Sequence, residues 1–174
     1  MASTLILING LPGAGKSTLA RHLGRELDVP VVSKDALKES FADITLGRVN
    51  STDLGRMASE TMWELAAAIT GIAVVESWWY RPRDLEFVTA GASRSDDPTV
   101  IELWCDISPV LAWTRYSQRN RHEIHPAADG VQRNWEAWSA SAIPLGIGRT
   151  VRVDTSSTID AAAMAALTAT CRDY

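Results

Sequence analysis

The chain has 174 residues, 46% of them hydrophobic and 22% charged, with a formal net charge of −4, the proportions of one soluble globular domain around a single core. The acidic balance counts against a protein built to hold long nucleic acid, which needs a basic face to release phosphate counterions. No run approaches the ~20 apolar residues of a membrane span, and the start Met1-Ala2-Ser3-Thr4 lacks the charged region of a secretory leader, so a cytoplasmic protein without membrane contact is expected.

In chain order, short apolar β-branched runs alternate with longer segments of helical spacing. Residues 4–9 predict a first strand, buried on both faces because its hydrophobicity is continuous. It runs into Gly10-Leu11-Pro12-Gly13-Ala14-Gly15-Lys16-Ser17-Thr18 and then a helix whose one face carries Leu19, Leu23 and Leu27. Residues 30–33 predict the second strand, with Lys34 and Asp35 just after it and a short helix over 36–41. Residues 52–70 carry Leu54, Met57, Ala58, Thr61, Met62, Leu65, Ala66 and Ile69 at helical steps. Ser51 or Thr52 can cap that helix, and Gly71 can end it in a left-handed turn. The third strand, 72–76, ends on Glu76 and leads into Ser77-Trp78-Trp79-Tyr80-Arg81-Pro82-Arg83. A polar turn at 93–98 precedes the fourth strand, 99–105, which ends on Cys105. Ser108-Pro109 supplies a hydroxyl cap and a first-turn proline for a helix over 109–121, on which Arg115, Arg119 and His122 share a face. Residues 119–130 are charged and read as a mobile loop. His122 and His125 within it lack a third ligand and read as loop residues rather than a zinc site. Trp135 and Trp138 follow on a short helix after an Asp129-Gly130 turn. The last strand is 150–154, and 161–171 closes the chain as an alanine-rich helix ending at Cys171. Such alternation implies right-handed crossovers and an open α/β sheet.

Gly10, Gly15, Lys16 and Ser17 match G-x-x-x-x-G-K-[ST], in the strand-loop-helix setting that the motif requires. Four such positions match by chance in on the order of one in a hundred chains of this size. The chemistry follows from the residue types. Glycines allow backbone N–H groups to converge on phosphate oxygens in conformations that a Cβ resists. The first helical turn adds orphan donors and a positive dipole end. Lys16 is a point charge for the β- and γ-phosphates of ATP, Ser17 offers a hydroxyl to Mg²⁺, and Thr18 supports the α-phosphate.

The chain resembles, over nearly its whole length, the small P-loop kinases of the AAA_33 type: the group of chloramphenicol phosphotransferase, zeta-type toxins, gluconate kinase and the kinase domain of polynucleotide kinase. The resemblance implies a three-layer α/β/α fold with a five-stranded parallel sheet in order 2-3-1-4-5. It also implies a LID, about residues 115–130, and transfer of the γ-phosphoryl group of ATP to a hydroxyl. Asp35 stands where these kinases carry the aspartate that takes the acceptor's proton. The other reading of Asp35 is a cap for the helix that follows. Glu76 replaces the family's usual aspartate and either reaches Mg²⁺ through water or binds an acceptor amine or hydroxyl. Arg81 resembles the acceptor-binding arginine. Arg119, then Arg115, resemble the LID arginines over the ATP phosphates, and Asp154 and Thr155 fall beside the adenine. At least one of Trp78 and Trp79 is expected to line the acceptor pocket; the other reading is that one tryptophan plugs the core and the remaining aromatics cover the loop.

The expected activity is therefore a Mg²⁺- and ATP-dependent phosphotransferase acting on a small hydroxylated molecule, with an antibiotic or amino sugar as a specific candidate. Two alternatives stay open: a nucleotide or polynucleotide 5′-hydroxyl kinase, and a toxin-like or regulatory nucleotide-binding module.

Overall fold

The computed structural model describes residues 1–126 and 128–172, so Ala127, inside the expected LID, lies outside the described residues. Five strands, β1 (Ala2–Asn9), β2 (Val31–Ser33), β3 (Gly71–Glu76), β4 (Thr99–Asp106) and β5 (Arg149–Asp154), form one sheet in the order β2-β3-β1-β4-β5. Every pairing is parallel, as the continuous apolar runs required. Period-two alternation along β1 divides the core: Ile6 and Ile8 pack on one face with Leu19, Leu23, Met164 and Leu167, while Leu5 and Leu7 pack on the other with Met62, Trp63, Val88 and Leu145. Each fully buried aliphatic side chain contributes about 1.5–3 kcal/mol relative to exposure.

The helices are α1 (Lys16–Leu27), α2 (Lys34–Ile44), α3 (Ser51–Ala68), α4 (Arg81–Ala92), α5 (Pro109–Gln118), α6 (Ala128–Ser141) and α7 (Ala161–Arg172). Several local expectations change. Asn50, not Ser51 or Thr52, caps α3, its side chain accepting from the Asp53 N–H. Gly71, at φ 85, opens β3 rather than closing α3. On α3 the inward face is Leu54, Ala58, Met62, Trp63 and Ala66, whereas Met57 and Leu65 are exposed. Trp63 was not part of the apolar stripe read from the sequence. Its indole stacks on Trp79 at 6.0 Å and lies so close to α4 that a Cβ on Gly91 would come within 2.3 Å of the ring. Helix α5 ends at Gln118, with Arg119 already extended at ψ 128, so Arg115, Arg119 and His122 do not share a helical face. Asp129 and Gly130 belong to the first turn of α6 instead of a turn before it.

Glu102 of β4 is wholly buried and holds three chain segments together. Its carboxylate accepts from Asn9 Nδ2 at 3.2 Å and from the backbone N–H groups of Leu145 at 2.8 Å and Gly146 at 3.0 Å. Asn9 Oδ1 accepts in turn from the N–H of Gly10 at 2.8 Å and of Trp79 at 3.1 Å. The exits of β1 and β3 are thereby fixed relative to each other. Glu102→Ala strands several buried donors at once and is expected to lower unfolding free energy by about 2–5 kcal/mol, read from the urea midpoint at unchanged slope.

Candidate active site

In a parallel sheet the carboxyl ends of the strands open on a common crevice. Here β1 delivers the loop at 10–15, β2 delivers Ser33 and the start of α2, and β3 delivers Glu76. Together with α5 and the segment after it they enclose a cleft of about 490 Å³.

The loop's backbone is set by its glycines. Gly13, at φ 84, packs so tightly against the first turn of α5 that a Cβ would meet Ala112 O at 2.1 Å. Gly15, at φ 88, begins α1 with no side-chain cap, which leaves the helix's first N–H groups free for an anion. Pro12, Gly13, Gly15, Lys16, Ser17 and Thr18 line the cleft. Leu11 and Ala14 turn into the core, and Gly10 abuts Cys105, so these three serve through their backbone. The Lys16 ammonium donates to Gly10 O and Leu11 O, both at 3.0 Å. Burial pushes its pKa below the ordinary lysine value, against the pull of Glu76, Cys105 and Asp35. Cys105, behind the loop, is a buried thiol pushed up to about 12 by burial and is inert as a nucleophile.

Glu76 joins both sides of the cleft. It is 3% exposed, accepts from Ser17 Oγ at 3.1 Å and from Ser33 Oγ at 2.7 Å. Ser33 also caps α2, its oxygen accepting from the Ala36 N–H at 3.5 Å, so Asp35 is not the cap of that helix. Asp35 lies in the first turn of α2, half exposed, with Oδ2 at 3.2 Å from Arg121 Nη2. Arg121 also stacks over Tyr116 at 4.9 Å.

The expected LID residues divide. Arg119 lines the cleft. Arg115 lines it too, but its guanidinium donates to Thr155 O at 2.7 Å and Ser156 O at 2.6 Å, which ties α5 to the end of β5. A second hollow, of about 280 Å³, lies beyond Arg115 and is bounded by Gly15, Thr18, His22, Thr155 and Ile159. Thr155 therefore borders the loop's outer side. Asp154 is not among the residues around that hollow; its carboxylate is exposed and accepts from the Ser156 N–H at 2.8 Å. The segment after α5 lies against α2 and α3, through His122 to Asp43 at 3.1 Å, His125 to Glu39 at 2.8 Å and Ser51 Oγ to Ile124 O at 2.9 Å.

Of the aromatic trio, Trp78 lines the cleft beside Trp138 of α6, ring centres 6.2 Å apart. Trp79, the other pocket candidate, is 3% exposed and belongs to the core. Arg81 turns away: its Nε donates to Leu145 O at 2.8 Å, and it is Arg83, paired with Asp84 at 2.7 Å, that reaches the cleft. Sequence reasoning set Arg121, the third arginine of the segment 109–121, behind Arg119 and Arg115 as a LID residue, and passed over Lys38, His125 and Ser33 as site residues. For Lys38 the signal was present, since Lys34 and Asp35 lie four and three residues before it on one helix. For Arg121 and His125 it was not, because their place depends on how the segment 119–126 folds back, and Ser33 enters through its long-range hydrogen bond to Glu76.

The model of the AAA_33 family, an AAA domain, matches residues 5–145. A shikimate kinase of Mycobacterium ulcerans (strain Agy99) is 29% identical over 159 residues, covering 90% of this chain and 82% of that protein. A crystal structure from Chloroflexus aurantiacus J-10-fl, of a protein provisionally described as a kinase, superposes with a TM-score of 0.76 at 27% identity, over 98% of this chain and 97% of its own. A gluconokinase from Sinorhizobium meliloti 1021 shares the fold, with a TM-score of 0.62 at 20% identity over 98% and 95% of the two chains.

Proposed function

The chain belongs to the AAA_33 family, and from that membership and the cleft's geometry we propose that it is a kinase moving the γ-phosphoryl group of ATP to a hydroxyl of a small molecule. The observation that carries this reading is the convergence on one cleft of the Lys16 ammonium, the Ser17 hydroxyl held by Glu76, and the Asp35 carboxylate. A single domain, with residues 115–130 as its LID, is part of the same proposal.

The loop's N–H groups and Lys16 bind the β- and γ-phosphates, and Thr18 and Thr155 border the nucleotide. Arg119 approaches the transferring group from the cleft's other wall, where a planar, permanently charged guanidinium suits phosphate oxygens. Asp35 orients the acceptor hydroxyl and takes its proton as the oxygen bonds to phosphorus. ADP leaves with the electrons of the broken bond. Trp78 and Trp138 offer an apolar wall to the acceptor's body. Ser17 Oγ and the Glu76 carboxylate are the hard oxygen donors that Mg²⁺ prefers. They would hold that ion, Glu76 through water, and the ion would neutralise charge on the phosphates. Glu76→Gln keeps the hydrogen bonds to Ser17 and Ser33 within reach but removes the charge. It is expected to raise the Mg²⁺ concentration for half-maximal turnover by about tenfold or more, measured at saturating ATP.

ATP consumption against sugars, hydroxy acids, aminoglycosides, peptide antibiotics, nucleosides and 5′-hydroxyl oligonucleotides tests the reading. Stimulation by one small-molecule class, with a phosphorylated product, supports it. Stimulation by oligonucleotides alone replaces it with an end-directed kinase, and nucleotide binding without stimulation by any acceptor replaces it with a regulatory or toxin-like module.

A further inference from the structure

Lys38 lies one helical turn along α2 from Asp35 and forms part of the cleft wall. The residue is only 8% exposed. Its ammonium donates to Ser51 Oγ at 2.7 Å, a neutral hydroxyl whose own proton goes to Ile124 O. Among the described residues no carboxylate lies within ion-pair distance of it. Lys34, on the same face and also in the cleft, has no such partner either. The nearby Asp35 is already engaged by Arg121.

Burying a charge is costly unless an opposite charge and hydrogen bonds satisfy it. The cost shows on Lys38, whose pKa is pushed below the ordinary lysine value by burial and then by Lys34, with Asp35 opposing. The kinase reading already assigns Lys16, Arg119 and the loop's N–H groups to the phosphates of ATP and leaves this pair without a role there. What remains at the α2 wall is a positive excess with hydrogen-bond capacity to spare, an ammonium having three donors.

Resting on the kinase reading, we propose that the acceptor carries a carboxylate or phosphate besides its reacting hydroxyl, and that Lys38, supported by Lys34, binds that anion. The anion anchors the acceptor one turn from Asp35 and so sets which hydroxyl meets the carboxylate. An amino sugar would instead bring a like charge to this wall.

Matched pairs of compounds test it: gluconate against gluconamide for the carboxylate arm, glucose 6-phosphate against glucose for the phosphate arm, with glucosamine as the cationic member. Each is titrated calorimetrically into protein holding Mg²⁺-ADP and, separately, assayed for ADP release from ATP. The anionic member of at least one pair is expected to bind at least about tenfold more tightly than its neutral partner. Lys38→Met, which keeps the aliphatic stem, should weaken that member by roughly thirtyfold or more while leaving the neutral partner and Mg²⁺-ADP unchanged. Lys38→Arg should restore much of the difference. Equal weakening of both members would reduce Lys38 to a strut between α2, α3 and Ile124 and overturn the proposal. So would preference for the neutral or cationic member, or no anion binding at all. Absence of ADP release with these compounds and with the wider acceptor panel above, while the anion still binds in a Lys38-dependent way, would remove the kinase reading and leave the anion site standing.

Discussion

Lys16→Ala should lower ATP turnover by about a hundred- to a thousandfold, the loss typical when one preorganised partner of developing charge is removed. The ammonium sits in a loop whose position is fixed from behind: Gly13 against α5, Leu11 and Ala14 in the core, Gly10 clamped by Asn9. The backbone around it therefore need not move for phosphates, and on the kinase reading only the ammonium turns, from its two carbonyl partners at 3.0 Å to oxygens that carry full charge. Its depressed pKa marks how poorly the unliganded protein solvates it. What accelerates transfer is the part of this interaction that strengthens as charge develops on the transferring group, over and above the binding of ATP itself. Because the ammonium is desolvated and bridges only carbonyls, the alanine variant should still melt cooperatively in the absence of nucleotide. A fall in turnover with intact folding would then belong to the site. Wild-type turnover in that variant would remove Lys16 from the chemistry.

The same loop shows how far the sequence could be read. Glycine spacing, the preceding apolar run and the leucine face of α1 lie within a stretch of some twenty residues, and local chemistry dictates the geometry there. The sheet was legible for a similar reason: strands buried on both faces leave continuous apolar runs. Their lateral order was not, because nothing within one strand names its neighbour; that order came from family resemblance. The aromatic trio was legible only as a set. Whether Trp78 or Trp79 turns inward depends on Trp63 and on the missing Cβ of Gly91, contacts made across more than ten residues of separation. Arg83 rather than Arg81 lines the cleft because Leu145 O takes the Arg81 guanidinium. The end of α5 was overrun by three residues, since helical spacing continues through Arg119 and Arg121 while the backbone turns away to bring Arg121 onto Tyr116 and Asp35. Contacts between residues distant in sequence decided most of these outcomes.

Asp35→Asn should cut kcat by about a hundred- to ten-thousandfold with ATP affinity kept, the range for loss of a positioned general base. Three features isolate that effect from structure. Ser33 caps α2, so the carboxylate is not what starts the helix. The pair with Arg121 is half exposed on the aspartate side, and such pairs contribute about 0–1 kcal/mol to stability. The residual helix-dipole contribution of an acidic first-turn residue is about 0.3–1 kcal/mol. An asparagine of the same shape can still accept from Arg121 and orient a hydroxyl, but cannot take its proton. The variant should therefore unfold within about 1 kcal/mol of the parent while losing its rate, with the KM for ATP unmoved. Were the carboxylate only a partner for Arg121, asparagine would hold that arginine nearly as well and the rate would survive. The ratio of kcat to stability loss thus distinguishes a base from a brace, and a variant that keeps its rate with ATP bound would remove Asp35 from proton transfer and leave the Lys38 wall as the acceptor side's chief determinant.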